Sequence, residues 1–512
     1  MSPISIHKAI VSLLAGCFLL PHLSGCVRHE ERQMSADLPP IAGPLKVDPL
    51  NPRYFSDTNG RIIYLTGSHT WDNLVDRRAN PEFDYKAYLD FLQSYNHNFI
   101  RLWARESASP SPTDIYRAAY PLPYLRTGPG MAMDGRPKFD LSKFDPAYFS
   151  RLRSRVQQAH DRGIYVMVML FQGFSIHFKG GDRVNPWPGH PFHARNNVNG
   201  VDGDANANGQ GEEVHSLENP LITALQEAYI RKVVDTVNDL DVLYEISNES
   251  PRSSLDWQYH WITFIHDYEK TKDRQNPVVQ TFMWDGESDS GRDDNAALLA
   301  SPADAISPGP GIRHEYRWDP PAADGSKVII SDTDHLWGVG GEVDWAWKSL
   351  LRGLNPIFMD PMKDAEWDPV RQALGQTLLV SSTINLANMI PRNELASSGY
   401  CLANPGFEYL VYLPSDSHWL ESRITEWMNS SYFIWRFSWM PAYLRRILRL
   451  SVEVDVSQAT GSLQVSWFNP ATGNFVPDGH VGGGRKTEFT APFSGPAVLH
   501  LTSSPGLNQT QG

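Results

Sequence analysis

Two stretches of the chain bring carboxylates to the point where an apolar run stops, which is where an acid can work on a ligand instead of a partner in the core. Val242-Leu243-Tyr244-Glu245-Ile246-Ser247-Asn248-Glu249-Ser250 reads as a strand running into Asn-Glu. At that end Glu249 can serve as a general acid, while Asn248 can hold a sugar hydroxyl through hydrogen bonds that tighten in the transition state. Glu245 has the same alternation parity as Glu249, but only Glu249 falls at the strand's mouth. Further on, Lys327-Val328-Ile329-Ile330-Ser331-Asp332-Thr333-Asp334-His335 supplies a second strand that ends in acids. Asp332 and Asp334 point to one side if the strand persists. Two carboxylates about 5 Å apart can hydrolyse a glycosidic bond with retention, and a gap of roughly 6.5 to 9.5 Å gives inversion. Asp332 is the first candidate for the second carboxylate because it closes the apolar run, with Asp334 as its rival.

Elements able to hold such residues together recur along the chain. From residue 45 to 395, short β-rich runs alternate with helical patterns: Ile62 to Thr66, Phe99 to Ala104, Ile164 to Phe171, Val242 to Ser247, Val278 to Trp284, a weak run at Ala305 to Ser307, Val328 to Ser331, and Pro356 to Met359. Asp145-Pro146 and Asn219-Pro220 read as N-caps followed by proline at the first helical position. Phe149, Leu152, Val156 and Ala159 share one helical face, as do Tyr85, Tyr88, Leu89 and Leu92. Strands alternating with helices in this number predict an α/β fold, a (β/α)8 TIM barrel. Thr66-Gly67-Ser68-His69-Thr70-Trp71 stands where a nucleotide-binding fold would carry its Gly-rich loop, which argues against a dinucleotide enzyme. In a barrel the ligand lies at the C-terminal ends of the strands. That rule adds His69 and Trp71, His177, Trp284, His314 and Tyr316, and Asp360 as candidate substrate contacts, with structural use of the histidines and aromatics as the alternative.

Beyond residue 396 the helical crossovers fade. Phe407 to Leu413, Ser451 to Val456, Leu463 to Phe468 and Ala497 to Thr502 predict a small antiparallel β-sandwich over residues 396–505, interrupted by an aromatic-rich insert at 419–450. The chain carries 45 Lys plus Arg against 58 Asp plus Glu, a net charge of −13 that repels phosphate backbones and argues against nucleic acid as a partner. Its 16 Trp, 20 Tyr and 22 Phe supply flat faces of the kind that stack on sugar rings, although most such residues serve the core.

The N-terminus reads as a targeting segment. His7 and Lys8 precede an apolar stretch from Ala9 to Leu20, and Leu23-Ser24-Gly25-Cys26 resembles a bacterial lipobox. The expectation is a signal peptide over residues 1–26, lipidation of Cys26, and a polar tether over 27–44 that leaves the protein anchored at the cell envelope. Val27 after the cysteine is compatible with outer-membrane sorting. With Cys17 removed and Cys26 acylated, Cys401 alone remains, so no intrachain disulfide is expected. No HExxH pattern suggests zinc. Asp204, Asn206, Asn208 and Gly209 match the start of a calcium loop, but His215 stands where the closing Glu belongs. A solvated loop is the first reading there, and a structural Ca²⁺ site the second.

Taken together, these segments resemble a clan A-type glycoside hydrolase, the large clan whose acid/base and nucleophile follow barrel strands 4 and 7. Within it the chain is similar to apiosidase-like hydrolases that end in a collagen-binding-type β domain. Phe99-Ile100-Arg101-Leu102-Trp103 resembles the strand-2 segment, Asn248-Glu249 the strand-4 pair, and Ile330-Ser331-Asp332 occupies the strand-7 slot. Gly399 to Ala403, Tyr412-Leu413-Pro414 and Trp467-Phe468-Asn469-Pro470 with Gly473 resemble the terminal domain. The resemblance implies Glu249 as acid/base, Asp332 as nucleophile, Arg101 steadying the nucleophile, a carbohydrate substrate such as a polysaccharide side chain or oligosaccharide, retention, and no required cofactor. Two departures stand out: Asp where the clan usually presents Glu on strand 7, and the insert 419–450. The shorter acid keeps open an alternative, a non-catalytic surface glycan-binding lipoprotein.

Overall fold

The computed structural model describes residues 38–503 apart from Ala79, Tyr116, 177–178, 180–183, 287–293 and 415–449. Cys26, His177 and nearly all of the 419–450 insert lie outside the described residues.

Eight parallel strands close into a barrel: β1 (Gly67–His69), β2 (Phe99–Leu102), β3 (Tyr165–Gln172), β4 (Leu243–Asn248), β5 (Val278–Thr281), β6 (Ala305–Ser307), β7 (Val328–Asp332) and β8 (Asn355–Met359). They pair in chain order, and β8 pairs with β1. Every strand is buried on both faces, which explains runs as apolar as Tyr165–Gln172. Alternation then sorts the side chains. Phe99, Tyr165, Met167, Leu243, Val279, Val328, Ile330 and Ile357 fill the barrel interior. Ile100, Val166, Val168, Tyr244, Ile246 and Val278 face the helices, among them Pro146–His160 and Pro220–Val237. The expected caps are in place: Asp145 accepts from the Ala147 amide, and Asn219 from those of Leu221 and Ile222.

One strand lies later than its sequence pattern suggests. Ile62–Ile63 belongs to a three-stranded antiparallel sheet with Lys46–Val47 and Phe55–Ser56, and Leu45, Phe55, Ile63 and Leu65 pack on the interior residues. The apolar run therefore plugs the barrel, and β1 begins only at Gly67. A Cβ there would sit 2.2 Å from the Phe99 carbonyl oxygen, so the close pairing of β1 with β2 needs glycine.

After the helix Asp368–Ser381, the chain enters an antiparallel β domain. Strands β9 (Ile390–Pro391), β10 (Cys401–Asn404), β11 (Glu408–Leu413), β12 (Ser451–Asp455), β13 (Ser462–Asn469), β14 (Asn474–Gly482), β15 (Lys486–Thr490) and β16 (Ala497–Ser503) form a six-stranded sheet, ordered β9-β10-β11-β16-β13-β14, and a β12-β15 pair. Both faces of the larger sheet are covered. Cys401, Ala403, Tyr409, Val411, Val465, Trp467 and Leu499 share a core with Val452, Val454 and Phe489 of the small sheet. The alternate residues Leu402, Leu410, Tyr412, Phe468 and Val498 pack on the barrel helix Val343–Leu351, where Trp347 stacks on Tyr412 with ring centroids 5.9 Å apart.

Candidate active site

Alternation carries four polar groups into the upper barrel. Arg101 continues the inward parity of Phe99, Glu245 that of Leu243, and Asp332 that of Val328 and Ile330, while His69 ends β1. All four are fully buried. Arg101 Nε donates to Glu245 Oε2 at 2.6 Å, and one Nη2 hydrogen goes to the other oxygen of that carboxylate. The second Nη2 hydrogen goes to Asn248 Oδ1 at 2.6 Å, and Nη1 donates to Asp332 Oδ2 at 3.1 Å and Asp334 Oδ2 at 2.9 Å. All five guanidinium N–H groups are used, so Arg101 fixes the geometry of strands β2, β4 and β7 at once. Arg101, in the sequence a candidate both for steadying the nucleophile and for contact with substrate, lies beneath the ligand space and holds the acids above it.

The expected nucleophile, Asp332, is spoken for on every side. Its Oδ1 faces His69 Nε2 at 3.0 Å and accepts the Asp334 amide at 2.9 Å, so that it caps the short helix Thr333–Leu336. Burial opposes its ionisation, but His69 and Arg101 more than offset that and hold the carboxyl below the ordinary range. Asp334 is different. Burial raises its pKa to about 6, with the Arg101 charge opposing and the Asp332 charge adding to the shift.

Asp334 and Glu249 line one cavity of about 500 Å³ at the C-terminal ends of the strands. Trp71, Trp103, Trp284 and Trp337 supply aromatic wall. Asn248 lines it as well: its Oδ1 is held by Arg101 and by His335 Nε2 at 3.2 Å, whereas its Nδ2 is buried with no partner among the described residues. That amide keeps an unused donor in a residue that lines the cavity, an arrangement a sugar hydroxyl would complete. Burial, followed by the Arg101 charge, pushes His335 down to about 3, so the ring is neutral. Donating through Nε2 to Asn248, it accepts through Nδ1 from Ser307 Oγ at 2.8 Å.

Glu249 itself has φ +46°, in the left-handed region that side-chain-bearing residues seldom occupy. The surroundings enforce it. Lys179 Nζ donates to the Glu249 carbonyl at 2.9 Å, and the Trp284 amide to the Ser250 carbonyl at 3.0 Å. Gly173 packs so close that a Cβ there would stand 2.1 Å from the Glu249 oxygen.

Of the other expected contacts, Trp71 and Trp284 reach the cavity. His69 sits behind it, stacked on Trp103 at 5.7 Å and turned to Asp332. Tyr316 is buried in the core beside the Val343–Leu351 helix, and His314 lies at the start of the helix Glu315–Trp318, neither in the cavity wall. Asp360 is fully buried, accepts from Arg371 Nε at 2.8 Å and Nη2 at 2.6 Å, and is not among the residues that line the cavity.

A group the sequence reading passed over lies next to the site. Glu106 accepts from the Gln172 amide and faces His215 Nε2 at 3.1 Å, and His215 Nδ1 meets Ser250 Oγ at 2.8 Å. Burial works against the charge on Glu106, but His215 and His190 more than offset it and keep the carboxyl ionised. His215 stacks on Trp257 at 4.4 Å and is fully buried, which removes it from any calcium loop. In that loop Asp204 Oδ2 accepts the Gly209 amide at 2.8 Å, Asn206 Oδ1 the Asn208 amide at 2.8 Å, and Asn208 Oδ1 the Gln210 amide at 2.8 Å. The described residues hold no group of three or more His, Cys, Asp or Glu that could bind a metal.

A family model described as "Domain of unknown function (DUF6298)" matches residues 105–289, the stretch from the end of the second barrel strand to just past the fifth. No curated protein matches the chain. Among solved structures, the chain is similar to one described as "Glycoside hydrolase", with 12% identity, 90% of this chain and 97% of that one covered, and a TM-score of 0.53. It is similar as well to a glycoside hydrolase family 5 protein from Bacteroides vulgatus ATCC 8482, with 12% identity, coverage of 90% and 93%, and a TM-score of 0.54. At such identities the likeness is one of architecture: this chain has the fold of a TIM barrel followed by an antiparallel β domain.

Proposed function

We propose that the chain is a glycoside hydrolase in which Glu249 is the acid/base and Asp334, not Asp332, the nucleophile. The observation that carries this is the shared cavity: one carboxylate after β4 and one after β7 face the same aromatic-walled space, while Asp332 is sealed below it. Glu249 gives its proton to the leaving oxygen as Asp334 attacks the anomeric carbon, and Glu249 then takes a proton from the water that releases the sugar. Arg101 holds the Asp334 carboxylate, Asn248 has a donor to offer a hydroxyl, and the tryptophans offer faces for ring stacking. The apiosidase-like resemblance of the sequence supports a polysaccharide side chain or oligosaccharide as substrate. Incubating the soluble portion with a panel of plant and microbial glycans should release sugar whose first-formed anomer, read by NMR, matches the substrate. Binding without release would point instead to a non-catalytic glycan receptor.

The same assay has a pH signature. The nucleophile must be ionised, and its pKa is raised to about 6, so activity is present above that pH and lost below it. The acid limb of kcat/KM should fall near pH 6; a limb near 4, the value of an ordinary carboxylate, would argue against Asp334.

The proposal includes lipid anchoring through Cys26, on the strength of the Leu23-Ser24-Gly25-Cys26 pattern. No described helix is long and apolar enough to cross a membrane. Cys26→Ser should move the protein from the membrane to the soluble fraction, and persistent membrane association in that variant would remove the anchor.

A further inference from the structure

The cleft holds more positive charge than the cleavage of a neutral sugar uses. Its main cavity sets Arg77, Arg105 and Arg317 against Glu249 and Asp334. A second cavity of about 220 Å³ shares Arg105, Gln172 and Phe174 with the first, adds Arg117 and Lys179, and has no carboxylate among its described lining residues. This is a local reversal in a chain whose net charge is −13.

Most of these cations have visible partners. Arg77 grips Asp72 through Nε at 2.8 Å and Nη2 at 2.9 Å, Arg117 pairs with Asp114 at 2.8 Å, and Lys179 donates to the carbonyls of Glu249 and Trp284. Arg105, which stands in the wall common to both cavities, differs. Its one ion pair among the described residues is to Asp72 at 3.7 Å, and that carboxylate is already held by Arg77 and by Asn80 at 2.8 Å. Among the described residues it makes no hydrogen bond, and its Nε is buried without a partner. Burial, then the Arg77 charge, with Asp72 opposing, lowers its pKa to about 10, which still leaves it charged at neutral pH. Its side chain is 20% exposed in the wall of the two cavities, so the guanidinium is open to an oxyanion that would complete its fork.

We infer that Arg105 is a subsite residue for an anionic sugar, binding a carboxylate or sulfate group on the glycan that Glu249 and Asp334 act upon, so that the substrates are acidic glycans. The inference rests on the hydrolase reading of the cleft, and its test separates the two. Uronate-bearing and sulfated oligosaccharides are assayed beside the same oligosaccharides after carboxyl reduction or desulfation, with binding followed in parallel by affinity electrophoresis. The acidic form should have a KM at least about tenfold below its neutralised counterpart, as expected for a charge-assisted contact. In Arg105→Gln, and in Arg105→Lys, which keeps the charge but loses the fork, the two forms should converge; an unchanged melting temperature shows that either variant is folded. Whether carboxyl reduction or desulfation raises KM tells which anion is read. Equal KM for charged and neutral forms of a cleaved glycan overturns the subsite and leaves the hydrolase intact. Arg105-dependent retention of acidic glycans without cleavage overturns the hydrolase and leaves the subsite. Neither cleavage nor retention of any acidic glycan overturns the subsite.

Discussion

Glu249→Gln is expected to lower kcat on a natural glycan by about 10²- to 10⁴-fold, the usual worth of a positioned general acid, while glycan affinity stays within a few-fold. The amide keeps the shape of the side chain and loses the proton. An aryl glycoside with a strongly activated leaving group does not need that proton to depart, so much of the loss should disappear on such a substrate. Asp334→Ala should behave in the opposite way: a loss on the order of 10⁴-fold with natural and activated substrates alike, because the bond to carbon cannot form. Azide placed in the space left by the Asp334 side chain should restore turnover and give a glycosyl azide of inverted configuration. Asp332→Ala supplies the decisive contrast. If azide rescues Asp332→Ala and leaves Asp334→Ala inactive, the roles assigned to the two aspartates are wrong.

The second large effect concerns stability. Arg101→Met would leave Glu245 and Asp332 buried without the cation that neutralises both, and breaking one side of a buried ionic cluster costs roughly 3 to 5 kcal/mol. Against a domain stability of about 5 to 15 kcal/mol, that is enough to shift the urea midpoint strongly or to prevent folding. Adding Glu245→Gln to the variant removes one stranded charge and should recover part of the loss, a coupling measurable as a double-mutant cycle. A change below about 1 kcal/mol in Arg101→Met, within the range of an exposed pair, would mean that the cluster is solvated and not the clamp described above.

The barrel was legible because its strands are buried on both faces and its helices are capped by Asp145 and Asn219. The first strand was misplaced because Ile62 and Ile63 look more strand-like than Gly67-Ser68-His69, and only tertiary packing reveals that they plug the barrel. The hairpin Tyr124–Met131 with Pro137–Phe144 went unread, since Gly128, Pro129 and Gly130 break the alternation that would announce it. Asp332 and Asp334 could not be ranked by parity. The strand stops at Asp332 and the chain turns into a helix, so the same two-residue spacing that would align them in a strand sends one down and the other out. Arg101 with Glu245, 144 positions away, and Glu106 with His215, 109 away, are pairs that no local pattern encodes.

The doubly covered six-stranded sheet ties the C-terminal region to the barrel through the Val343–Leu351 helix, so that it is not a detachable module. Truncation after the helix Asp368–Ser381 would lay bare Trp347 and its neighbours, a patch that water would drive toward self-association. Efforts to isolate a minimal barrel would therefore have to keep the tail.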